Sequence, residues 1–454
     1  MKKRCVVRLF AQIAVLICLC TGCSLDVESF LQPPRAQGEH QAIQLALETY
    51  LGESGTAVGR YSLLYPSTGA YTSAFVLCDS SGRPTQEDGD GVAMAVAFYA
   101  LAAAPEQPHV NLLYRQDGTW ISADDRVGYG ADIQQVAFGD LDGDGLAELL
   151  TGWSTYNSQD HRLAAFSMKD GLRVFSSDLV YTQLYAGDIT GTGRDSLLLF
   201  RIGSENMVTA TLQQMRDGQL VSTDTVRLDG QIQQFKGMTL CSLAQGVQGL
   251  YVDALKTADT LMTEILYYAD GKLHAPLYDA ASNATTETAR AASIASRDVD
   301  GDGRVEIPHC RLLPGHTVAD KDVSTAWFTT WRAWDYATGL WKTGPQGIVN
   351  IADGYMIWLD EAVQDTMTTA YDANSRTLDL QDTETKEFWL RLSTNGRTEA
   401  PAQGMERITL FEREEDALPL VVWFNPDVLD EREIRIWRIQ RLQGGVVHEE
   451  DISL

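Results

Sequence analysis

The stretches Asp140-Leu-Asp-Gly-Asp-Gly-Leu-Ala-Glu148 and Asp298-Val-Asp-Gly-Asp-Gly-Arg-Val-Glu306 are two copies of one acidic loop, each flanked by apolar, strand-like sequence. Four carboxylates within nine residues repel one another unless a cation sits among them. Positions 1, 3 and 5 aim their oxygens at a common centre, and hard oxygen donors at that density suit Ca2+. The glycine at position 6, Gly145 or Gly303, lets the chain turn sharply, and residue 7 offers its backbone carbonyl. The alternative is a metal-free turn that tolerates the acids.

A second pattern is independent of the acids. Gln116-Asp-Gly, Lys169-Asp-Gly, Arg216-Asp-Gly and Ala269-Asp-Gly each join two strand-like runs, as tight β-hairpin turns do. From Asp117 to Asp170, Asp217 and Asp270 the intervals are 53, 47 and 53 residues, and the acidic loops fall between the turns. A period near 50 residues holding several short strands predicts the blades of a β-propeller. One blade between Asp188 and Asp298 has lost its loop, and Gln245-Gly-Val-Gln-Gly-Leu-Tyr-Val252 stands in its place.

Phe138-Gly-Asp-Leu-Asp-Gly-Asp-Gly-Leu-Ala-Glu148 resembles the FG-GAP or VCBS repeat, the blade unit of integrin alpha-subunit propellers and of many secreted bacterial proteins. At the level of period the resemblance covers roughly residues 55 to 345. It implies that Asp140, Asp142, Asp144 and Glu148 are metal ligands, as are Asp298, Asp300, Asp302 and Glu306, with Leu146 and Arg304 giving carbonyls. The family often has Asp at the last position, and the longer Glu shifts that contact. A third copy, Asp188-Ile-Thr-Gly-Thr-Gly-Arg-Asp-Ser196, keeps Asp188 and the glycines but has Thr190 and Thr192 at positions 3 and 5, which predicts weak binding or none. Glu87-Asp-Gly-Asp-Gly91 reads as a degenerate first copy, out of register, with Asp79 stranded upstream.

The chain starts Met1-Lys-Lys-Arg, followed by an apolar run from Leu9 to Cys20 that is short for a membrane span, which reads as an export signal over residues 1–22. Leu19-Cys-Thr-Gly-Cys23 resembles the bacterial lipobox, although Cys20 stands where leucine is usual. By that resemblance Cys23 is lipidated, which places the protein in the cell envelope, anchored on the outer side of the cytoplasmic membrane, or in the outer membrane if there are two. An ordinary secretory signal is the alternative. Loss of the signal removes Lys2, Lys3, Arg4 and Arg8 and deepens the net charge of −26 by four, which argues against nucleic acid and anionic lipid as partners. Cys78, Cys241 and Cys310 then remain, an odd and dispersed set that reads as buried thiols.

Residues 23–40 read as a spacer, Gln41 to Leu51 as a short amphipathic helix carrying Ile43, Leu45, Ala46 and Tyr50, and 41–350 as the propeller. Over 351–454 strands without acidic loops, and a helix beginning near Pro426, suggest a small α+β domain; the alternative is further blades. The fold class is thus mainly β. No catalytic motif appears; His309 and His316 are the only histidines near one another. Aromatics concentrate from Trp327 to Trp341, with Trp327 and Trp331 on one strand face and Phe328, Trp334 and Tyr336 on the other. Such rows fill the core between blades or, if exposed, stack on sugars or a partner protein. The predicted function is a calcium-stapled binding or scaffold module for an extracellular protein or carbohydrate; a carbohydrate-active hydrolase or lyase using the propeller cleft is the alternative.

Overall fold

A computed structural model describes residues 38–438 except 56–59, 86–90, 156–158, 292–293, 320–323, 396–397, 412–419 and 430–433. The expected export signal, Cys23 and most of the Glu87–Gly91 copy lie outside the described residues.

Six antiparallel sheets follow one another along the described chain. The first holds β1 (Tyr61–Leu63), β2 (Phe75–Cys78), β3 (Met94–Leu101), β4 (Ala104–Gln116) and β5 (Thr119–Val127). The second holds β6 (Ile133–Gly139), β7 (Glu148–Ser154), β8 (His161–Ser167) and β9 (Arg173–Tyr181). The third is β10 (Gln183–Gly187), β11 (Ser196–Ile202), β12 (Val208–Arg216) and β13 (Gln219–Leu228). The fourth is β14 (Gln234–Ala244), β15 (Val247–Thr257), β16 (Thr260–Ala269) and β17 (Lys272–His274). The fifth comprises β18 (Glu306–Leu312), β19 (Trp327–Asp335), β20 (Leu340–Asn350) and β21 (Tyr355–Trp358). The sixth holds β22 (Met367–Asp372), β23 (Thr377–Asp382), β24 (Phe388–Ser393), β25 (Glu406–Phe411) and β26 (Leu420–Phe424), after which β27 (Arg435–Arg438) returns to pair with β21.

The Asp-Gly pairs set this period. Each lies between the last two strands of sheets one to four with both residues at positive φ, as at Asp117 (49°) and Gly118 (78°). Only that turn hand matches the twist of the strands it joins.

The inner strands of the middle sheets are buried on both faces, so β7 and β11 are largely apolar runs rather than alternations. In β11, Leu197 and Leu199 pack on Leu150 and Leu163 of the second sheet, while Leu198 and Phe200 pack on Leu250 and Val252 of the fourth. The same interleaving joins sheet one to two through Phe98 and Trp153, four to five through Ile265 and Trp334, and five to six through Phe328 and Leu392. This succession of small antiparallel sheets packed face to face is a β-propeller. The other face of the first sheet is covered by α1 (Glu39–Glu53). Ile43, Leu47 and Leu51, four residues apart, form its buried stripe; Leu45, expected on that face, is 63% exposed.

The aromatic row fills the core between blades, the first of its two readings: Trp331 is fully buried, and Trp327 and Phe328 nearly so. The α+β content expected over 351–454 is corrected, because its described residues form strands and a single 3-10 turn at Glu361–Val363. After Pro426 the chain makes a short turn on Asn425 and then β27. Leu378, Leu380, Leu390 and Leu392 alternate toward the fifth sheet and share its core, which makes these strands a further blade.

Candidate metal centres

The first acidic loop connects β6 to β7, so Asp140 and Glu148 are held at facing strand ends, where Gly139 pairs with Glu148. Asp140 accepts from the N–H groups of Gly143 (2.7 Å) and Gly145 (3.0 Å), Asp142 from Asp144 (3.0 Å), and Asp144 from Leu146 (2.9 Å). Gly143 and Gly145 take φ of 78° and 89°, which curls these N–H groups inward. Glu148 is 1% exposed and reaches back to the N–H of Leu141 at 2.8 Å. One oxygen each of Asp140, Asp142 and Glu148 lies within 4.8 Å of the others. Asp144 stands apart, paired with Lys169 Nζ at 3.1 Å.

The second loop repeats the wiring. Asp298 accepts from Gly301 and Gly303, both at 2.7 Å, Asp302 from Arg304 at 2.8 Å, and Glu306 from Val299 at 2.9 Å. Here the converging oxygens, again within 4.8 Å, belong to Asp298, Asp300 and Asp302. Burial, reinforced by the neighbouring aspartates, pushes Glu148 up to about 7 and Glu306 to about 8. Asp300 is raised too, by burial first and then by Asp302 and Asp298. The donor set is all hard oxygen, and the two acidic clusters are able to hold a divalent cation. Leu146 and Arg304 stand at the seventh positions of the two loops.

The third loop folds the same way with hydroxyls in place of two of the carboxylates. Asp188 accepts from Thr192 N (3.0 Å) and Gly193 N (2.7 Å), and the hydroxyls of Thr190 and Thr192 bond each other at 2.9 Å. In the first sheet Asp79 holds a smaller turn, accepting from Ser81 and Arg83.

Three contacts gave no signal in sequence spacing. Asp195 accepts from the N–H of Asp140 at 2.9 Å, and Ala147 N donates to Ser81 O at 2.8 Å, so the first loop touches the blades on either side. Arg194 covers Gly143, where an added Cβ would stand 2.7 Å from Nε. The connection from β17 to the second loop is clasped by buried charges. Lys256 pairs with Asp229 at 2.7 Å, and Asp229 accepts from Thr285 N. Arg290 pairs with Asp253 at 3.1 Å and donates to the carbonyls of Thr288 and Ile294.

His316 bonds Thr369, and among the described residues the groups of three or more side chains able to hold a metal are those of the two loops. Cys78, Cys241 and Cys310 are free thiols.

No family profile matches the chain, and no curated protein matches it. Among solved structures, it is similar to a rhamnogalacturonan lyase of Bacillus licheniformis at 12% identity and a TM-score of 0.30, over 70% of this chain and 74% of that one. A 6-phosphogluconolactonase-like protein of Bacteroides uniformis aligns at 12% and 0.32, over 69% and 82% of the two chains. The Dos1 propeller aligns at 9% and 0.32, over 68% and 69%. Values this low carry no argument about activity.

Proposed function

We propose that the chain is an extracellular propeller of FG-GAP/VCBS type, lipid-anchored at Cys23, in which Ca2+ stabilises a binding or scaffold module for a protein or carbohydrate partner. One observation carries the reading: two loops, each in one blade, converge three carboxylate oxygens within 4.8 Å while their backbone N–H groups lock the carboxylates in place. Asp140, Asp142 and Glu148 would hold one ion and Asp298, Asp300 and Asp302 the other, with Glu306 in support. Bound Ca2+ supplies the positive charge that offsets carboxylate repulsion. Because the first loop also touches Ser81 and Asp195, holding it rigid holds three blades in register.

The test is thermal unfolding of the full chain after chelation, with calcium titrated and magnesium as control. Each site contributes about 2.7 kcal/mol at a hundredfold excess over Kd. Asp142→Ala and Asp300→Ala should each remove one share, and the double variant should abolish the response. An unchanged melting temperature, with no calcium found by elemental analysis, overturns the reading.

A further inference from the structure

Between the fourth and fifth sheets, beside the second acidic loop, lies a crevice of about 200 Å3 whose wall includes Tyr251, Arg304, Trp334, Asp335, Tyr336 and Lys342. We infer that this crevice binds a single sugar ring carrying a carboxylate, the terminal unit of an acidic saccharide. The inference rests on the binding-module reading above and names its ligand class and site.

Three features carry it. The first is a prebuilt aromatic corner. Trp334 and Tyr336 meet at 74° with centroids 6.2 Å apart. Behind them Tyr267 stacks on Trp334 (5.8 Å, 27°) and abuts Tyr336 edge-on (5.2 Å, 88°), and His274 stacks on Tyr267 in turn (4.8 Å, 13°). A pyranose has an apolar C–H face and a polar rim; Tyr336, half-buried at the crevice and braced by the buried Trp334, meets that face with little ordering cost.

The second is charge. On a chain of net charge −26, this wall carries two cations and one carboxylate. Lys342 is paired with Asp335, which it holds down to about 2. Arg304 makes a loose ion pair with Asp302, at 3.8 Å with both side chains about half exposed, so its fork of donors can turn to a ligand carboxylate when Asp302 is engaged by an ion. The third is size. The volume lies below the ~300–1,000 Å3 of sites for larger molecules, which favours one ring at a chain end.

Arg304 is also the seventh residue of the acidic loop, so the loop's backbone places the crevice's cation.

The experiment is calorimetric titration of the full chain with trimers of galacturonate and of mannuronate, each against its methyl ester. Free calcium is held constant because uronates chelate it. The expected result is binding of an acid trimer, with the ester weaker by roughly tenfold or more, the value of a hydrogen-bonded charge. Arg304→Gln, which keeps the loop's backbone carbonyl, should weaken the acid form by a similar factor, as should Tyr336→Ala, which also lowers the melting temperature by removing packing on Tyr267 and Trp334. In both variants the calcium-dependent rise in melting temperature should be retained. Equal binding of acid and ester, or binding untouched by both variants, overturns the assignment. Absence of binding beside an intact calcium response refutes the crevice alone, whereas loss of both refutes the underlying reading as well.

Discussion

The clasp around Arg290 allows the most demanding test of the packing argument. Its side chain is 1% exposed and Asp253 is 5% exposed, so neither charge has water to fall back on. Arg290 bonds Asp253, Thr263 Oγ1, Thr288 O and Ile294 O, and so ties the strands β15 and β16 to the segment leading into the second acidic loop. Arg290→Met leaves Asp253 buried without its counter-charge, which costs about 3–5 kcal/mol in comparable sites. The lower end applies here, because Asp253 still accepts from Ser296 N at 2.8 Å and from Thr263 Oγ1 at 2.5 Å. We therefore expect a loss of about 3 kcal/mol in urea unfolding followed by tryptophan fluorescence. Adding Asp253→Asn removes the stranded charge and should return about 1–2 kcal/mol, a coupling that two independent sites would not show. A loss below about 1 kcal/mol in the single variant, or strict additivity in the double one, would refute the claim that a buried ion pair holds this connection.

Other predictions are simpler. Gly143→Ala forces a left-handed residue and meets Arg194, and should cost about 1–2 kcal/mol; Gly118→Ala, at the same φ of 78° but in open space, isolates the strain alone. Glu264 is pushed up to about 7 by burial and by Asp229, and one of its oxygens has no partner. A carboxyl raised above its ordinary value of 4.5 contributes stability at low pH that is lost as pH rises from about 4.5 through about 7. Glu264→Gln should flatten that slope, on the order of 3 kcal/mol, in melts recorded across this window. Burial pushes the Cys78 thiol up to about 12 and Cys241 and Cys310 to about 11, so alkylation of all three at neutral pH should await unfolding, as mass spectrometry of timed aliquots will show.

What the sequence determined by itself was local chemistry. The four Asp-Gly pairs spaced 47 to 53 residues apart, each between two strand-like runs, specify hairpins because few residue pairs accept two positive φ angles in a row. The acidic loops announce themselves because ligands, glycines and turn lie within nine residues of one another. Position in the stack is not local. Whether Trp331 fills the core while Trp334 borders a crevice depends on which neighbouring sheet each face meets, and strand alternation does not name the neighbour. The same holds for the segment after residue 350: its alternating leucines suit an independent sheet or a sixth blade equally, and only contact with Phe328 and Ile348 selects the blade. Lys169, opposite Asp144, and Asp195, on the backbone of Asp140, join loops dozens of residues apart. The geometry that gathers carboxylates from one loop is written in spacing, whereas the contacts that bind that loop to its neighbours exist only once the blades are stacked.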